Sequence, residues 1–510
     1  MISPAPRGRA PFEDSGVERD GAGVAHYTGL PPSLAEMLRA SVESDGDGTA
    51  VAEVGGPSLT YGELWERAAR VAGGMAQGGV QRGDRVAIRL ANGIDWVLAF
   101  FGAQLAGAVA VPVNTRLTEE EAAYIVGDSE SKLTLGPETA LPDGPPMAIE
   151  GLTGSDLAAI FYTSGTTGFP KGAMTSQENF LTNSENCLRS LDLDRAEGPR
   201  LSTLVSVPLF HVTGCNSQLI PLLHVGGRVE ILTNPLDIDG FFEAVGVNGI
   251  THLVSVPAIY NLVIRHPRFA ELDVSGVRSV TYGGAPIAES LVRDLERAFP
   301  GARLGNGFGL TETSSLATFL PFEDAAAHAD SVGFAMPVVD LAIAEPDGES
   351  GVGELLIRGA NVVQGYWRKP EETAEAFADG WLHSGDLARI DAEGLVYVVD
   401  RKKDMINRGG ENVYSLEVEN VLAREPGVGE VAVLAVPDEV MGEKVGAVLV
   451  PVAGEKLDVE RIVADSRRSL ADFKVPQYVA VRDEPLPRNP NGKVLKRRLR
   501  EETSWGQPLR

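Results

Sequence analysis

Apolar positions follow two alternating spacings along most of the chain. From Leu34 onward, stretches with a helical period of apolar residues are followed by short runs with strand character. One example is the helical pattern from Ile287 to Ala298, which precedes an apolar run from Phe299 to Phe308 and a glycine-rich turn. Such alternation is typical of α/β proteins whose sheets are mainly parallel. The predicted fold class is therefore α/β.

One apolar segment is long enough to raise the question of a membrane span. The stretch from Trp96 to Val113 has no charged residue and is about as long as a minimal spanning helix. It is interrupted by residues that disfavour such a helix, namely Gly102, Gln104, Gly107 and Pro112. Its end alternates in the manner of a strand. We therefore predict a buried helix followed by a buried strand, and no transmembrane segment.

Changes in composition divide the chain into three parts. Residues 1–30 are rich in proline, glycine and charge and are expected to form a flexible N-terminal arm. Residues 31–400 carry the long α/β pattern and are expected to form a large domain. A run of five charges, Asp400 to Asp404, precedes short patterns that predict strands at Glu430–Val436, Val445–Val450 and Tyr478–Val481 and a helix at Asp458–Leu470. Residues 401–510 are therefore expected to form a small α+β domain.

Composition limits the partners and the compartment. The chain has 510 residues, of which 43% are hydrophobic, and a formal net charge of −26. Such a charge disfavours nucleic acid and would repel anionic substrates unless local groups offset it. The two cysteines cannot form a disulfide framework, and no apolar stretch of a signal peptide follows the N-terminal arginines. A cytoplasmic protein is expected.

The strongest local motif is a loop rich in hydroxyl groups and glycine, Tyr162 to Gly172. Glycine lets backbone N–H groups converge on an anion, hydroxyls donate hydrogen bonds, and lysine neutralises charge. It differs from a Walker A loop because Pro170 precedes the lysine and Gly172 follows it. A plain polar turn is the alternative. The candidate phosphate-binding residues are Thr163, Ser164, Gly165, Thr166, Thr167, Gly168 and Lys171.

This loop resembles the phosphate-binding signature of the adenylate-forming superfamily. That superfamily includes acyl-CoA synthetases, firefly-type luciferases and the adenylation domains of peptide synthetases. The resemblance extends from about residue 34 to 500, with several motifs in the family's order. It implies a large N-terminal domain of mixed sheets with flanking helices, a small mobile C-terminal α+β domain, and the substrates ATP, CoA and a carboxylic acid with Mg²⁺.

The resemblance also implies a nucleotide site. Its adenine-side candidates are Gly284, Ala285, Pro286, Asn306, Gly307, Phe308 and Gly309, with Phe308 stacking on the base and Asn306 at its edge. Thr311 would contact the α-phosphate and Glu312 would hold Mg²⁺. Asp386 would accept hydrogen bonds from the ribose hydroxyls, with Arg401 beside it. A flat aromatic ring suits a base, and a carboxylate suits a hard cation.

The small domain is implied to serve both steps of the reaction. Lys403 matches the family's hinge residue, and Gly409 and Gly410 match the loop that admits the thiol arm of CoA. Ser415 departs from the family pattern, which commonly has proline there. Near the C-terminus, Lys493 matches the catalytic lysine of adenylation, where a positive charge would stabilise the transition state.

The acid pocket is the least distinct site in the sequence. By resemblance, Pro208 to Asn216 and Val256 line it, with His211 at its mouth as a candidate catalytic and substrate-binding residue. The other candidates are Val212, Gly214, Cys215 and Val256. The segment from Pro208 to Asn216 contains no aspartate for an ammonium group and no arginine for a second carboxylate. A neutral fatty or aromatic acid is therefore expected.

The predicted function is that of an ATP-dependent acid–CoA ligase, which forms an acyl-adenylate with release of pyrophosphate and then a thioester. The main alternative is an acyl-AMP ligase or adenylation enzyme that loads a carrier-protein thiol. A luciferase-like oxygenase and a degenerate nucleotide-binding protein are further alternatives. The joint presence of Lys171, Thr311, Glu312, Asp386 and Lys493 argues against the degenerate form. The sequence leaves a homo-oligomer open.

Overall fold

The computed structural model describes residues 2–6, 8–163, 170–488 and 494–509. The large domain contains ten α-helices over these ranges: α1 Leu34–Asp45, α2 Tyr61–Gln77, α3 Ile94–Leu105, α4 Glu119–Asp128, α5 Gln177–Leu191, α6 Ile220–His224, α7 Ile238–Gly246, α8 Pro257–Arg265, α9 Glu289–Ala298 and α10 Pro370–Ala376. Shorter 3₁₀ and π turns connect several of them, including Thr213–Leu219 and Thr311–Thr313.

Among the residues that the structure describes, the strands of the large domain form three major sheets and one hairpin. In chain order they are β1 Ile2–Pro4, β2 Val17–Arg19, β3 Ala25–Tyr27, β4 Thr49–Glu53, β5 Ser58–Thr60, β6 Arg85–Ile88, β7 Val109–Pro112, β8 Ser131–Leu135, β9 Leu157–Thr163, β10 Lys171–Ser176, β11 Ser202–Val205, β12 Arg228–Ile231, β13 His252–Ser255, β14 Ser279–Gly283, β15 Arg303–Phe308, β16 Thr318–Leu320, β17 Phe334–Ala335, β18 Val339–Ala344, β19 Gly353–Gly359, β20 Leu382–Ile390 and β21 Val396–Arg401.

The largest sheet has the strand order β17-β16-β15-β14-β13-β11-β12-β4-β5 and is parallel through its centre. A second sheet, β10-β9-β7-β6-β8, is parallel except for the β9–β10 pair. The third, β1-β18-β19-β20-β21, is antiparallel. The predicted α/β class with mixed sheets is confirmed, and the antiparallel sheet qualifies the expectation of mainly parallel pairing.

The small domain has a sheet of its own, with helices packed on it. Its elements are β22 Ile406–Arg408, β23 Glu411–Val413, α11 Ser415–Leu422, β24 Val428–Asp438, β25 Gly442–Pro451, α12 Val459–Ser466, β26 Tyr478–Val481 and α13 Lys496–Glu502. The strands run in the order β23-β22-β25-β24, and β26 pairs with β25. The chain leaves the large domain's sheet at Arg401 and enters this one at Ile406, so the segment between them is where we expected the boundary and the hinge.

The segment from Trp96 to Val113 folds as its pattern predicts. Helix α3 is buried along almost its whole length and leads into the fully buried strand β7. Within the helix, the rings of Trp96 and Phe100 stack at 5.3 Å. Over the described ranges, no helix combines the length and the apolar character needed to cross a bilayer.

Residues 1–30 are more ordered than the loose arm we expected. Strand β1 pairs with β18 of the antiparallel sheet, and β2 and β3 form a hairpin. The guanidinium of Arg19 donates to both carboxylate oxygens of Asp340 at 2.8 Å. Tyr27 is 7% exposed, and its hydroxyl donates to Oδ1 of Asn186 at 2.8 Å. Long-range pairing that composition does not reveal therefore attaches this segment to the large domain.

Candidate active site

The carboxyl ends of four neighbouring parallel strands bring four separate motifs together. Strands β15, β14, β13 and β11 are adjacent and parallel, so their ends meet at one edge of the large sheet. Register places Ser255 beside Tyr282 and Gly283 beside Gly307. The predicted acid-pocket and adenine segments follow directly from these ends. This edge is where ligands bind in open α/β sheets.

Gly284 marks the point where three of these segments meet. It has a φ of +73°, which glycine adopts without a steric cost, and a Cβ placed there would lie 3.6 Å from Cγ1 of Val256 and 3.9 Å from Oγ1 of Thr213. Residues 284–286 are exposed at this edge. The predicted adenine side and the predicted acid side therefore adjoin across one glycine.

His211 lies half-buried at the start of the acid-pocket segment. Its Nδ1 is 3.1 Å from Oγ1 of Thr213 and accepts a hydrogen bond from the backbone N–H of Thr213 at 3.2 Å. Because Nδ1 is an acceptor in that bond, the ring proton belongs on Nε2. Burial lowers the pKa of His211 to about 4, so the ring is neutral at physiological pH.

Asn306 and Phe308 lie on the last part of β15. Asn306 is buried, and its side-chain nitrogen donates to the carbonyl oxygen of Ser331 at 3.0 Å. Phe308 is partly buried against the main apolar core, which leaves part of the ring exposed. The role of these two residues at adenine stays a prediction.

Glu312 stands on a short turn that buried amides hold in place. Asn361 donates to the carbonyls of Thr313 and Leu316 at 3.1 and 3.0 Å, and Asn216 donates to that of Ser314 at 3.0 Å. Gly309 also tightens the turn, because a Cβ there would lie 1.4 Å from the carbonyl oxygen of Ser315. These contacts fix the backbone that carries Thr311 and Glu312. No motif of the sequence predicts that Asn216 and Asn361 support this turn.

Tyr366 is the main residue that sequence reasoning missed. Its hydroxyl donates to Oε1 of Glu312 at 2.7 Å, and Nζ of Lys171 lies over its ring, 5.1 Å from the centroid. The candidate lysine of the phosphate loop and the candidate metal ligand are thus brought to the same aromatic side chain. Within the loop, Thr163 ends β9 and Lys171 begins β10, whereas Ser164, Gly165, Thr166, Thr167 and Gly168 lie outside the described residues.

Asp386 and Arg401 are paired as the predicted ribose site requires. They face each other across the β20–β21 ladder, and Nε of Arg401 lies 2.7 Å from Oδ1 of Asp386. Asp386 is 3% exposed. A carboxylate has two oxygens that can accept hydrogen bonds, as the predicted contact with the two ribose hydroxyls requires. Its role at the ribose stays a prediction.

Sequence comparison identifies the family. The model of the AMP-binding enzyme family matches residues 38–367, and that of the AMP-binding enzyme C-terminal domain matches residues 417–493. The chain belongs to the AMP-binding enzyme family. It is 38% identical to a feruloyl-CoA synthase of Amycolatopsis over 88% of this chain and 94% of that protein. It is 35% identical to the long-chain-fatty-acid–CoA ligase FadD13 of Mycobacterium tuberculosis over the same shares.

Solved structures of other AMP-binding enzymes share the fold. The o-succinylbenzoate-CoA synthetase of Bacillus subtilis, in complex with its acyl-adenylate intermediate, is 26% identical and superposes with a TM-score of 0.82 over 94% of this chain and 99% of that one. ATP-bound MatB from Rhodopseudomonas palustris is 30% identical, with a TM-score of 0.82 over 92% and 98%. The predicted activity, ATP-dependent joining of a carboxylic acid to CoA through an acyl-adenylate, is confirmed.

The residues of this AMP-binding enzyme fit the Mg²⁺ that the activity requires. Over the described ranges, no three His, Cys, Asp or Glu side chains form a metal-binding group. Mg²⁺ in nucleotide enzymes is commonly held by one or two carboxylates together with the phosphates. Glu312 is the carboxylate predicted for this role, and Nζ of Lys171 lies 5.1 Å from the centroid of the Tyr366 ring whose hydroxyl donates to Glu312.

The structure corrects the expected role of Gly214 in the acid pocket. A Cβ placed on Gly214 would lie 2.3 Å from the carbonyl oxygen of Pro208, so an added side chain points at backbone and does not enter substrate volume. Val212 and Cys215 are buried in the same apolar cluster as Leu209. Of the predicted lining residues, His211 and Val256 are partly exposed, whereas Val212, Gly214 and Cys215 are buried.

We expect Gly214→Ala to destabilise the protein by about 1–3 kcal/mol, because overpacking a tight site forces the backbone to shift. Urea unfolding measures the change. Gly127→Ala is the matched control, because its Cβ meets nothing within 4 Å on an exposed turn of α4. If the Gly214→Ala enzyme has normal stability and an altered acid preference, Gly214 lines the acid pocket after all.

Two of the small-domain candidates, Gly409 and Gly410, lie on an exposed hairpin turn. Gly409 and Gly410, with φ of +62° and +94°, connect β22 to β23. A Cβ on Gly409 would lie 2.5 Å from Cε of Met441, whereas a Cβ on Gly410 would meet nothing within 4 Å. Lys493 lies outside the described residues, and the hinge at Lys403 stays a prediction.

Ser415 uses donors that a proline would lack. Its backbone N–H and its hydroxyl both donate to the carboxylate of Asp400, the hydroxyl at 3.0 Å. Nζ of Lys496 in turn donates to Oγ of Ser415 at 2.6 Å and pairs with Glu419 at 2.7 Å. This buried network joins the last residues of the large domain to helices α11 and α13. The departure from the family pattern therefore creates a contact across the expected domain boundary.

Proposed function

We propose that this AMP-binding enzyme activates a carboxylic acid whose body is uncharged, either aromatic or aliphatic, and transfers it to CoA. One observation carries the choice of acid. Val256 and Thr213 lie beside Gly284, and His211, whose pKa burial lowers to about 4, contacts Thr213; these three side chains form the proposed wall of the acid pocket. None of the three carries a charge that could bind an ammonium or a second carboxylate. The similarity to a feruloyl-CoA synthase and to a long-chain-fatty-acid–CoA ligase supports the same class.

In the first step, an oxygen of the substrate carboxylate attacks the α-phosphorus of ATP, and pyrophosphate leaves with the electrons of the broken P–O bond. We assign Lys171 and the loop of residues 163–168 to the β- and γ-phosphates, and Thr311 to the α-phosphate. Lys493 would stabilise the charge that develops between the carboxylate and the α-phosphate. Glu312 would hold Mg²⁺, which would neutralise charge on the phosphates.

The remaining predicted contacts would hold the nucleotide in place and would not act on the bond that breaks. Phe308 and Asn306 would hold adenine, and Asp386 with Arg401 would hold the ribose. The pairing of Asp386 with Arg401 at 2.7 Å supports this assignment, because the guanidinium holds the carboxylate in one orientation. Tight placement of the nucleotide converts much of its binding energy into alignment of the α-phosphorus with the acid.

In the second step, the thiolate of CoA attacks the acyl carbon, and AMP leaves. The turn at Gly409 and Gly410 would line the path of the thiol arm, and rotation of the small domain about Lys403 would exchange this turn for Lys493. The free space beside Gly410 and the separate sheet of the small domain support this assignment. A cytoplasmic location, which supplies ATP and CoA, fits two cysteines that are buried as free thiols.

An acid panel tests the proposed substrate class. ATP–pyrophosphate exchange should be strong with acids that carry no charge apart from the reacting carboxylate, such as ferulate, benzoate, octanoate or palmitate. At least one of them should be preferred. It should be weak with dicarboxylic acids and amino acids, because the wall leaves their second charge unpaired. Addition of CoA should yield the matching thioester. A preference for an amino acid or a dicarboxylate would overturn the proposal.

A further inference from the structure

Glu312 receives a hydrogen bond from a residue far along the chain. The hydroxyl of Tyr366, 54 residues away, donates to Oε1 of Glu312 at 2.7 Å, and Tyr366 is only 8% exposed. We propose that Tyr366 is a positioning residue, which orients the carboxylate of Glu312 toward the metal–phosphate group and holds Lys171 apart from it. This inference rests on the proposed role of Glu312 as the metal ligand.

The backbone around Tyr366 is fixed on both sides of the site. The N–H of Val363 donates to the carbonyl oxygen of Glu312 at 2.9 Å, so the segment is tied to the turn that carries this carboxylate. The N–H of Trp367 donates to the carbonyl oxygen of Gly172 at 2.7 Å, next to Lys171. The segment therefore bridges the metal-binding turn and the strand that begins at the phosphate-loop lysine. A side chain on a backbone segment that is held on both sides can be placed precisely.

The ring of Tyr366 packs in a defined orientation. It makes an edge contact with Phe377 at 5.7 Å between centroids, and the same two residues belong to a small apolar cluster with Ala173 and Val363. An aromatic ring has few rotatable bonds, so packing on this side leaves the hydroxyl little freedom. The position of Oε1 of Glu312, which accepts this hydrogen bond, is thereby restricted.

Lys171 uses the face of the same ring. Its ammonium lies 5.1 Å from the ring centroid, within the range of a cation–π contact. Lys171 and Glu312 have opposite charges, and a direct ion pair between them would occupy both before ATP arrives. The tyrosine binds the cation through its face and the anion through its hydroxyl. It keeps the lysine available for phosphate and the carboxylate available for Mg²⁺.

The test separates metal binding from nucleotide binding. Tyr366→Phe keeps the ring under Lys171 and removes only the hydroxyl. We expect the affinity for Mn²⁺, measured by electron paramagnetic resonance on the enzyme–ATP complex, to fall about tenfold, the scale of a lost hydrogen bond to a charged group. Binding of ATP without metal should change less than about twofold, because the ring still holds Lys171. Tyr366→Leu should weaken both, because it also removes the ring.

A matched tyrosine controls for loss of a buried hydroxyl. Tyr27 is 7% exposed, donates to a side-chain oxygen at 2.8 Å and lies under the guanidinium of Arg189 at 4.4 Å, yet it belongs to the N-terminal hairpin. Tyr27→Phe should leave the affinity for Mn²⁺ unchanged. An equal loss in both variants, or an affinity within about twofold of the unmodified enzyme in Tyr366→Phe, would overturn the positioning role.

A double variant distinguishes the failure of this inference from the failure of the proposed function. In a Glu312→Gln background, Tyr366→Phe should have no further effect on Mn²⁺ binding, because both changes act on one carboxylate. If Glu312→Gln alone leaves Mn²⁺ binding unchanged, Glu312 is not the ligand and the proposed function loses that assignment. If Glu312→Gln weakens binding but the two losses add fully, Glu312 stands and the role of Tyr366 is wrong.

Discussion

Glu312→Gln should lower the rate of acid-dependent ATP–pyrophosphate exchange by about 100-fold or more, as for the loss of a major electrostatic stabiliser. The change removes the charge that we assign to Mg²⁺ binding but keeps the shape of the side chain and an acceptor for the hydroxyl of Tyr366. The turn should remain folded, because it is fixed through the backbone by Asn361 and Asn216. Exchange assays over a range of Mg²⁺ concentrations, with thermal unfolding as a check, measure the effect.

Asp386→Asn should affect the kinetics differently from Glu312→Gln. This variant removes the charge paired with Arg401 but does not touch the phosphates. We expect it to raise the KM for ATP more than it lowers kcat, because the ribose is remote from the bond that breaks. If both variants lose turnover equally at saturating ATP, the division between a metal ligand and a ribose ligand is wrong.

Lys493→Ala should separate the two half-reactions. We expect adenylation to fall by a factor on the order of 100 or more, because a positive charge at the transition state is lost. Conversion of supplied acyl-adenylate and CoA to thioester should remain close to normal, since that step would use the opposite arrangement of the small domain. Rapid-quench measurement of each half-reaction checks the expectation. A parallel loss of both steps would contradict alternation of the domain.

Gly410→Leu should show the reverse pattern. Its side chain would extend into free space beside the proposed thiol path and slow thioester formation, while adenylation continues. Gly410 is better suited to this test than Gly409, whose Cβ would meet Met441. Gly454→Leu controls for backbone strain, because Gly454 has a φ of +86° with nothing within 4 Å and lies elsewhere in the same domain. Equal effects of the two leucines would mean that strain, and not the thiol path, explains the loss.

Local sequence patterns predicted much of the secondary structure. The strand expected at Tyr478–Val481 has those bounds, and the helix expected from Ile287 to Ala298 begins at Glu289. The helix expected at Asp458–Leu470 ends earlier, at Ser466. Apolar period and capping depend on residues within a few positions of each other, so the sequence contains this information directly. The ends of elements depend on tertiary packing and were less accurate.

Local sequence patterns could not predict the direction in which a side chain would point. Gly214 lies in the segment that the family resemblance places along the acid pocket. Its Cβ direction depends on the π-helical turn from Thr213 to Leu219 and on the backbone of Pro208. The same limit explains the N-terminal segment, which pairs with a strand more than 300 residues away.

The sequence by itself determined which chemistry is present. The composition of the glycine- and hydroxyl-rich loop predicted a phosphate role for Lys171, and the family resemblance implied Glu312 for metal and Asp386 for ribose; the charge and hydrogen-bonding capacity of these residue types suit those roles. Only the tertiary structure decided how these groups are held. The contact of Tyr366 with Glu312 and Lys171 and the support of the turn by Asn216 and Asn361 depend on which strands are adjacent and in what register. Register is fixed by the summed packing of the whole domain, which no short motif contains.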